Sequence, residues 1–396
     1  MRVVMLCPEP PYPLNGGGAL RTASIVNYFA RFADVDLILF SSSGQPARLP
    51  HGLVRSMKVI PLPAHSHTAL ARWRRNAFRA ARGVPPLVDR LSGHDAEVRE
   101  ALRGRRYDLG IVEHSWCSPY LPLLAEVCDR TLLDMHNIES VLHQRAAAVS
   151  GPLVAAGHRR FAAAMRRLEA EFAPRYSFVA TTSQRDAESI RGIAPGANVI
   201  VYPNALPALP LPQVAVDENL AVFSGNFEYH PNIDAVDFLI REIWPEVRRR
   251  HPSLRLRLVG RGAEFIRHLI AADSSIEVTG PVENALAEIA RAQIVLAPLR
   301  VGSGTRLKIL EAWQAGRPVI ATPLAAEGLQ TTDPANLLLA ESASAFADGI
   351  DRLRGDAELR SILSLQGRKT LEDNYTWQIA WRSLDALFRI TNRTRR

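Results

Sequence analysis

No stretch of these 396 residues approaches the roughly 18 to 20 unbroken apolar residues that a membrane-crossing helix needs. Cysteine is scarce. Cys7, Cys117 and Cys128 are odd in number and lack metal-ligand spacing, which speaks against a disulfide framework or a zinc site and fits a reducing compartment. The first ten residues hold a strand-like run followed by prolines, with no signal-peptide apolar region or cleavage site. A cytoplasmic location is therefore expected, either free or peripheral on the inner face of a membrane. Lysine is nearly missing: only 3 of the 48 cationic residues, at positions 58, 308 and 369, are lysine. That skew reflects base composition and makes the lysine at 308 conspicuous. No Gly-x-Gly-x-x-Gly sits tight against the end of the first strand, so a nicotinamide dehydrogenase is not expected. The net charge of +8 is compatible with nucleic acid, an anionic membrane or acidic substrates. No recognised nucleic-acid-binding module is present, and nucleic acid is not expected as a partner.

What is present suits two α/β cores, since 47% of the residues are hydrophobic and the length favours two domains of about 200 residues. Arg2 to Leu6 reads as a strand, Leu20 to Ala33 as a helix and Val35 to Phe40 as the next strand, the opening of a Rossmann-like half. Between the first two lies Pro8 to Gly18, carrying Gly16-Gly17-Gly18. Asp34-x-Asp36 has the spacing of a metal-binding pair but opens a strand instead of following one, so it reads as structural. Further strands are expected at Asp108–Val112, Thr131–Asp134 and Phe178–Thr181, with ligand-facing residues at their carboxyl ends. Glu113-His114, His136 and Thr182-Ser183 fall there. Arg72 to Arg82 mixes arginines with Trp73 and Phe78. A later helix, Gly157 to Phe172, adds Arg159, Arg160, Phe161, Arg166 and Arg167. Two readings of this basic surface stay open: a solvated helix face, or docking on an anionic membrane. Ala205 to Val216 is a proline-rich connector. Strands at Asn219–Phe223, Leu254–Val259 and Ile276–Thr279 begin a second α/β run.

The most informative stretch is Ala297 to Thr322, which reads as strand, glycine loop, helix, turn, strand. Gly302-Ser303-Gly304-Thr305 lets the backbone approach a ligand, and Ser303 or Thr305 can cap the following helix. A helix amino terminus attracts anions, yet Arg306 and Lys308 stand there where acids would stabilise the helix better. That inversion points to a negative ligand such as a diphosphate. Lys308 and Glu311 share a helix face, and Glu311 lies at a distance from the tip that suits two ribose hydroxyls.

Leu310-Glu311-Ala312, Gly316 and Pro318-Val319-Ile320-Ala321 resemble the donor-sugar motif of the retaining GT-B glycosyltransferases of family 4, also called group 1. The variant Gly302 to Glu311 is similar to a bacterial branch tied to exopolysaccharide assembly. The resemblance implies an α/β fold of GT-B architecture, two Rossmann-like domains facing each other across a cleft. It implies domains at 1–204 and 217–375, a hinge at 205–216, and a C-terminal helix at 376–396 that returns to the first domain. It implies transfer of a sugar from a nucleoside diphosphate-sugar to a hydroxyl of a glycan or lipid-linked acceptor, with retention and without a metal or other cofactor. Arg306, Lys308 and His136 are then the catalytic residues, His136 standing in an Asp-x-His-Asn-x-Glu pattern like the family's reaction-centre loop. Gly17, Gly18, Asn226, Val282, Gly302, Ser303, Gly304, Thr305 and Glu311 would bind the donor. Arg21, Glu113, His114 and Asn137 would line the acceptor side of the cleft.

The chain departs from the family twice. Ser303 stands where a first glutamate contacts the transferred sugar, and Ser224 to Asn232 lacks the usual arginine and lysine that meet the diphosphate. Two other classes stay open: a sugar-nucleotide epimerase, which shares the fold, and a catalytically silent sugar-nucleotide-binding protein, suggested by Ser303 in place of the first glutamate.

Overall fold

The computed structural model describes residues 1–14, 16–41, 48–63, 69–270, 273–302 and 304–388, with backbone alone at 69, 70, 72 and 73. The chain divides into two compact units. The first is Met1–Pro203 together with the chain from Trp381, and the second is Asn204–Ala380.

Among the described residues the first unit holds seven parallel strands: β1 (Arg2–Cys7), β2 (Asp34–Ser41), β3 (Ser56–Pro61), β4 (Leu109–Glu113), β5 (Thr131–Asp134), β6 (Phe178–Thr181) and β7 (Val199–Val201). Their order is β3-β2-β1-β4-β5-β6-β7, so the order reverses between β1 and β4. Val3 to Cys7 are fully buried, as expected of a strand covered by helices on both faces. Register sets Leu6 beside Val112 and Glu113 beside Asp134, which brings the carboxyl ends of β1, β4 and β5 level. Near the amino end of β4 Cys128 is half-buried with its thiol pushed up to about 12 by burial, and Cys7 and Cys117 are fully buried with thiols raised by the same cause.

The helix after β1 runs Gly17–Ala30 and not from Leu20, so Gly17 and Gly18 belong to its first turn. Gly16 precedes it at φ 120°, a conformation open to glycine, which explains how the loop turns sharply into the helix. The C-terminal segment packs in this unit: Tyr28 donates to Asp385 Oδ1 at 2.9 Å and Trp381 Nε1 donates to the Ser24 carbonyl at 3.1 Å.

Six parallel strands among the described residues form the second unit: β8 (Asp217–Ser224), β9 (Arg255–Val259), β10 (Ile276–Gly280), β11 (Ala292–Ala297), β12 (Val319–Ala321) and β13 (Leu338–Leu339). The order β10-β9-β8-β11-β12-β13 again reverses between the first strand and the fourth. Such reversals open a crevice at the carboxyl ends of the strands, and ligands bind there. The expected α/β class with two Rossmann-like units is what the chain adopts.

Under the second sheet, helix Leu307–Gln314 crosses helix Ala357–Asn374 at close range. A Cβ on Gly367 would come within 2.3 Å of the Trp313 ring, whose Nε1 donates to the Asn336 carbonyl at 3.0 Å.

Candidate active site

Each unit carries one charged cluster at its reversal point. In the first unit, His136 follows β5 and its Nε2 lies 2.6 Å from Glu113 Oε2 and 3.1 Å from Asp134 Oδ2. Asp134 is gripped from behind by Arg21, with Nε 2.8 Å from Oδ2 and Nη2 2.5 Å from Oδ1. Arg21 also donates to the Tyr202 carbonyl at 2.7 Å, and Thr22 donates to Glu113 Oε2 at 3.0 Å. Arg21 is only 2% exposed. It therefore supports the cluster and does not line it, which corrects the expectation that it faces the acceptor. Burial alone would raise the Asp134 carboxyl, but Arg21 and His136 overcome this and hold it well below the usual range. Burial also works against the His136 imidazolium, yet its bonds to Asp134 and Glu113 prevail and raise it to about 9. Glu113 is pushed up by burial and by the Asp134 charge. Glu113 and Asp134 together favour the protonated form of the His136 imidazole.

His114, next along β4, is the only non-glycine residue among those described with positive φ, at 64°. Its backbone N–H donates to the Asp134 carbonyl at 2.9 Å, and its ring stacks on Trp116 at 4.0 Å and lies 3.8 Å from the His136 ring. Its buried Nε2 has no hydrogen-bond partner among the described atoms. Burial first, then the neighbouring His136, depress this imidazole well below its ordinary value, so His114 is neutral. Strained backbone of this kind costs on the order of 1–3 kcal/mol and marks functional loops. Asn137 is half-buried, with its amide 3.5 Å from Glu139 Oε1. Glu139 is buried and raised to about 8 by burial and by nearby Glu169. Glu169, raised to about 7 by burial, accepts from the Ser140 amide at 3.2 Å and from the Ser140 hydroxyl at 2.5 Å. Gly18 faces this cluster: a Cβ there would meet Glu9 Oε1 at 3.0 Å and His136 Nδ1 at 3.9 Å. Gly17, beside it, is exposed.

Glu113, Asp134 and His136 each offer one ligand atom within 4.8 Å of the others, a grouping able to hold a metal ion. A cation would have to displace the Nε2 proton and share Asp134 with a bidentate guanidinium. Asp36 of the Asp34-x-Asp36 pair is occupied elsewhere, accepting from Arg55, from Ser56 at 2.6 Å and from Tyr107 at 3.0 Å. Burial would raise its carboxyl, but these hydrogen bonds lower it below the ordinary value.

In the second unit, the loop after β11 turns through Gly302 at φ 139° and Gly304 at φ 73°. The helix begins at Leu307, with Arg306 as its N-cap and no described side chain capping it. Of the two expected caps, Thr305 precedes the cap position, which Arg306 takes, and the Thr305 carbonyl accepts from Asn204 Nδ2 at 3.0 Å. Ser303 lies outside the described residues. Arg306 is buried over Gly302, with its guanidinium 3.9 Å from Glu327. Lys308 Nζ donates to Asn232 Oδ1 at 2.8 Å and sits 4.7 Å over the Phe223 ring. Burial lowers this ammonium to about 8 against the pull of Glu311, with Arg306 adding to the depression. Glu311 is raised by burial and held down by Lys308. Asn226 supports the loop after β8, its Oδ1 accepting from the Glu228 amide at 3.0 Å. Val282 is half-buried in the turn after Gly280, and no described contact ties it to Lys308 or Glu311.

Thr22, Asn232 and Glu327 were given no role from the sequence, and Asp134 figured there only as the first acid of the Asp-x-His-Asn-x-Glu pattern. Asn232 had a signal: it lies in the stretch that lacks the expected cations.

Two parallel-sheet Rossmann-like units are the architecture of the GT-B class of fold. Residues 218–356 match the family described as Glycosyl transferases group 1. Solved structures agree on the fold. Sucrose-phosphate synthase of Thermosynechococcus elongatus superposes with a TM-score of 0.74 at 18% identity over all of both chains. HepE of Anabaena, solved with UDP and glucose, gives 0.67 at 14% identity, covering 97% of this chain and 98% of that one. A TarM mutant of S. aureus, solved with UDP, fondaparinux and a GlcNAc-glycerol, gives 0.68 at 12%, covering 98% and 100%. An exopolysaccharide phosphotransferase of Streptomyces coelicolor is 28% identical over 199 residues, 48% of this chain but only 20% of that protein.

Proposed function

We propose that this glycosyltransferase moves a sugar from a nucleoside diphosphate donor to a hydroxyl of a glycan acceptor, with retention and without a metal. The observation that carries this reading is Lys308, a half-buried ammonium in the first turn of helix Leu307–Gln314 with Glu311 one turn further on. The positive end of the helix dipole and Lys308 suit a diphosphate, with the Arg306 charge behind them. Glu311 suits the ribose hydroxyls. In the step itself the bond from the anomeric carbon to the leaving phosphate oxygen breaks, and the acceptor oxygen bonds to that carbon on the same face. The acceptor proton passes to the leaving phosphate. His136 carries a proton at neutral pH and so orients the sugar as a donor; it is not the base. Neutral His114 takes an acceptor hydroxyl at its free nitrogen.

The UDP held by two relatives of the same fold makes UDP and its sugars the first ligands to test. Lys308→Ala should lower kcat about 10²-fold or more, the scale of one preorganised electrostatic contact, with a smaller effect on donor KM. A kcat within about threefold of wild type in the folded variant would refute the reading.

A polysaccharide or lipid-linked acceptor is the class favoured for the acceptor, and the first unit has a surface that suits an anionic bilayer. Helix Ala69–Arg82 exposes Phe78 beside Arg74 and Arg82 and packs on helix Pro152–Phe172, which exposes Leu153, Val154, Arg159, Arg160, Arg166 and Arg167. The side chains of Arg72 and Trp73 lie outside those described, and Phe161 is buried against His143 and not on this face. Sedimentation with phosphatidylglycerol vesicles but not phosphatidylcholine vesicles, weakened by Phe78→Ser, is expected; equal behaviour with both lipids would exclude docking by charge.

A further inference from the structure

The stretch Ser224 to Asn232 has no arginine or lysine, and the structure shows what it supplies in their place. Asn232 lies in the first turn of helix His230–Phe238 and is 8% exposed. Its Oδ1 accepts from Lys308 Nζ at 2.8 Å, and its Nδ2 donates to the Asn226 carbonyl at 2.8 Å. The two neighbours fix the amide's orientation, because an ammonium needs an acceptor and a carbonyl needs a donor. Room for the amide comes from Gly225, where a Cβ would lie 2.9 Å from Asn232 Nδ2. Asn232 and Lys308 are 76 residues apart and reach each other only because β8 and β11 are neighbours at the reversal point.

We propose that Asn232 is a positioning residue that aims the Lys308 ammonium at the donor diphosphate, so that the loop after β8 orients a cation instead of providing one. The proposal rests on the reading of Lys308 given above. A neutral amide suits this task better than a carboxylate. It takes one of the three ammonium protons and leaves the positive charge unneutralised for the phosphate, whereas an aspartate would spend that charge in an ion pair. The groups around Lys308 are few. Glu311 and Arg306 face it from its own segment and Phe223 from β8. Helix Ala285–Arg291 also packs on helix Leu307–Gln314, with its Glu288 engaged by Arg257 at 2.8 Å. Helix Ala357–Asn374 packs there too, with Arg368 donating to the Gln314 carbonyl at the far end.

The test has two arms. In the first, the full chain is labelled at its lysines, of which there are three, and Lys308 is followed by NMR without substrate. Asn232→Asp should raise the Lys308 titration midpoint by about one to three pH units, the usual effect of an opposite charge at contact distance. An unmoved midpoint would show that the side chains do not meet and would overturn the proposal. In the second arm, Asn232→Ala and the milder Asn232→Ser are compared with Lys308→Ala in turnover. Asn232→Ala should lower kcat about tenfold with donor KM changed less than threefold, and adding it to Lys308→Ala should cost nothing further. If Lys308→Ala is crippled while both Asn232 variants turn over normally, positioning by Asn232 is wrong and the reading of Lys308 stands. If Lys308→Ala itself is near normal, the reading falls and the proposal with it.

Discussion

Glu113 and His136 meet 23 residues apart in sequence, with Oε2 and Nε2 2.6 Å apart and side chains 0% and 8% exposed. In the unfolded chain the imidazole titrates near 6.5, and in the fold near 9. The stabilisation from this group is fully present below pH 6.5 and is lost as pH rises through about 9. Glu113→Gln should therefore bring the His136 titration, followed by NMR, down toward neutrality and make turnover fall at lower pH than in wild type. A His136 midpoint that stays near 9 would mean that Asp134 alone holds the charge.

Glu311→Gln keeps one acceptor and loses the carboxylate. UDP affinity measured by calorimetry should weaken by roughly 1.5–3 kcal/mol, the scale of a hydrogen bond to a charged group. Unchanged affinity would remove Glu311 from the donor site.

Turnover should persist in EDTA and gain nothing from Mn²⁺ or Mg²⁺. Asp36→Asn should leave turnover intact while lowering stability by about 1–3 kcal/mol, since Arg55, Ser56 and Tyr107 all lose a charged acceptor. Loss of activity in EDTA, restored by either ion, would point to the cluster of Glu113, Asp134 and His136 as a metal site.

Glu169 shows the opposite sign to His136. Its folded carboxyl titrates near 7 against about 4.5 unfolded, so ionisation opposes folding increasingly as pH climbs from 4.5 to 7. Glu169→Gln keeps an acceptor for the Ser140 amide and removes the charge facing Glu139. Its Tm should exceed that of wild type at pH 8 and match it near pH 5; a lower Tm at both would show that the bonds to Ser140 outweigh the repulsion.

Gly367→Ala pits two known effects against each other. Alanine in a helix interior normally gains about 1 kcal/mol over glycine. Here the added methyl would press to 2.3 Å on the Trp313 ring, and overpacking of that kind costs about 1–3 kcal/mol or more. Net destabilisation in urea is expected, and a more stable variant would mean that the two helices separate freely.

The fold was readable because its strands are short apolar runs separated by helical periodicity, and parallel strands carry that signal on both faces. That Lys308 and Glu311 share one helix was readable, because they sit three residues apart in a helical pattern. Of the two capping residues expected for that helix, Ser303 lies outside the described residues, and Arg306 stands at the cap position where Thr305 was the other candidate. Arg21 was misread for a different reason, since its partner Asp134 lies 113 residues away and local pattern carries no trace of the pair. Asn232 escaped for the same reason, and its importance shows only once β8 and β11 are set side by side.

The three native thiols have a practical consequence. Alkylating reagents attack the thiolate, and an ordinary exposed cysteine near pKa 8.5 presents on the order of a tenth of its molecules in that form at pH 7.5. Cys128, held near 12, presents about a thousandfold less, and Cys7 and Cys117 are enclosed as well. One cysteine introduced at exposed Arg167 and another at exposed Arg241 would outcompete all three for a maleimide dye, so the natural sequence is already a quiet background for fluorescence measurements on each unit.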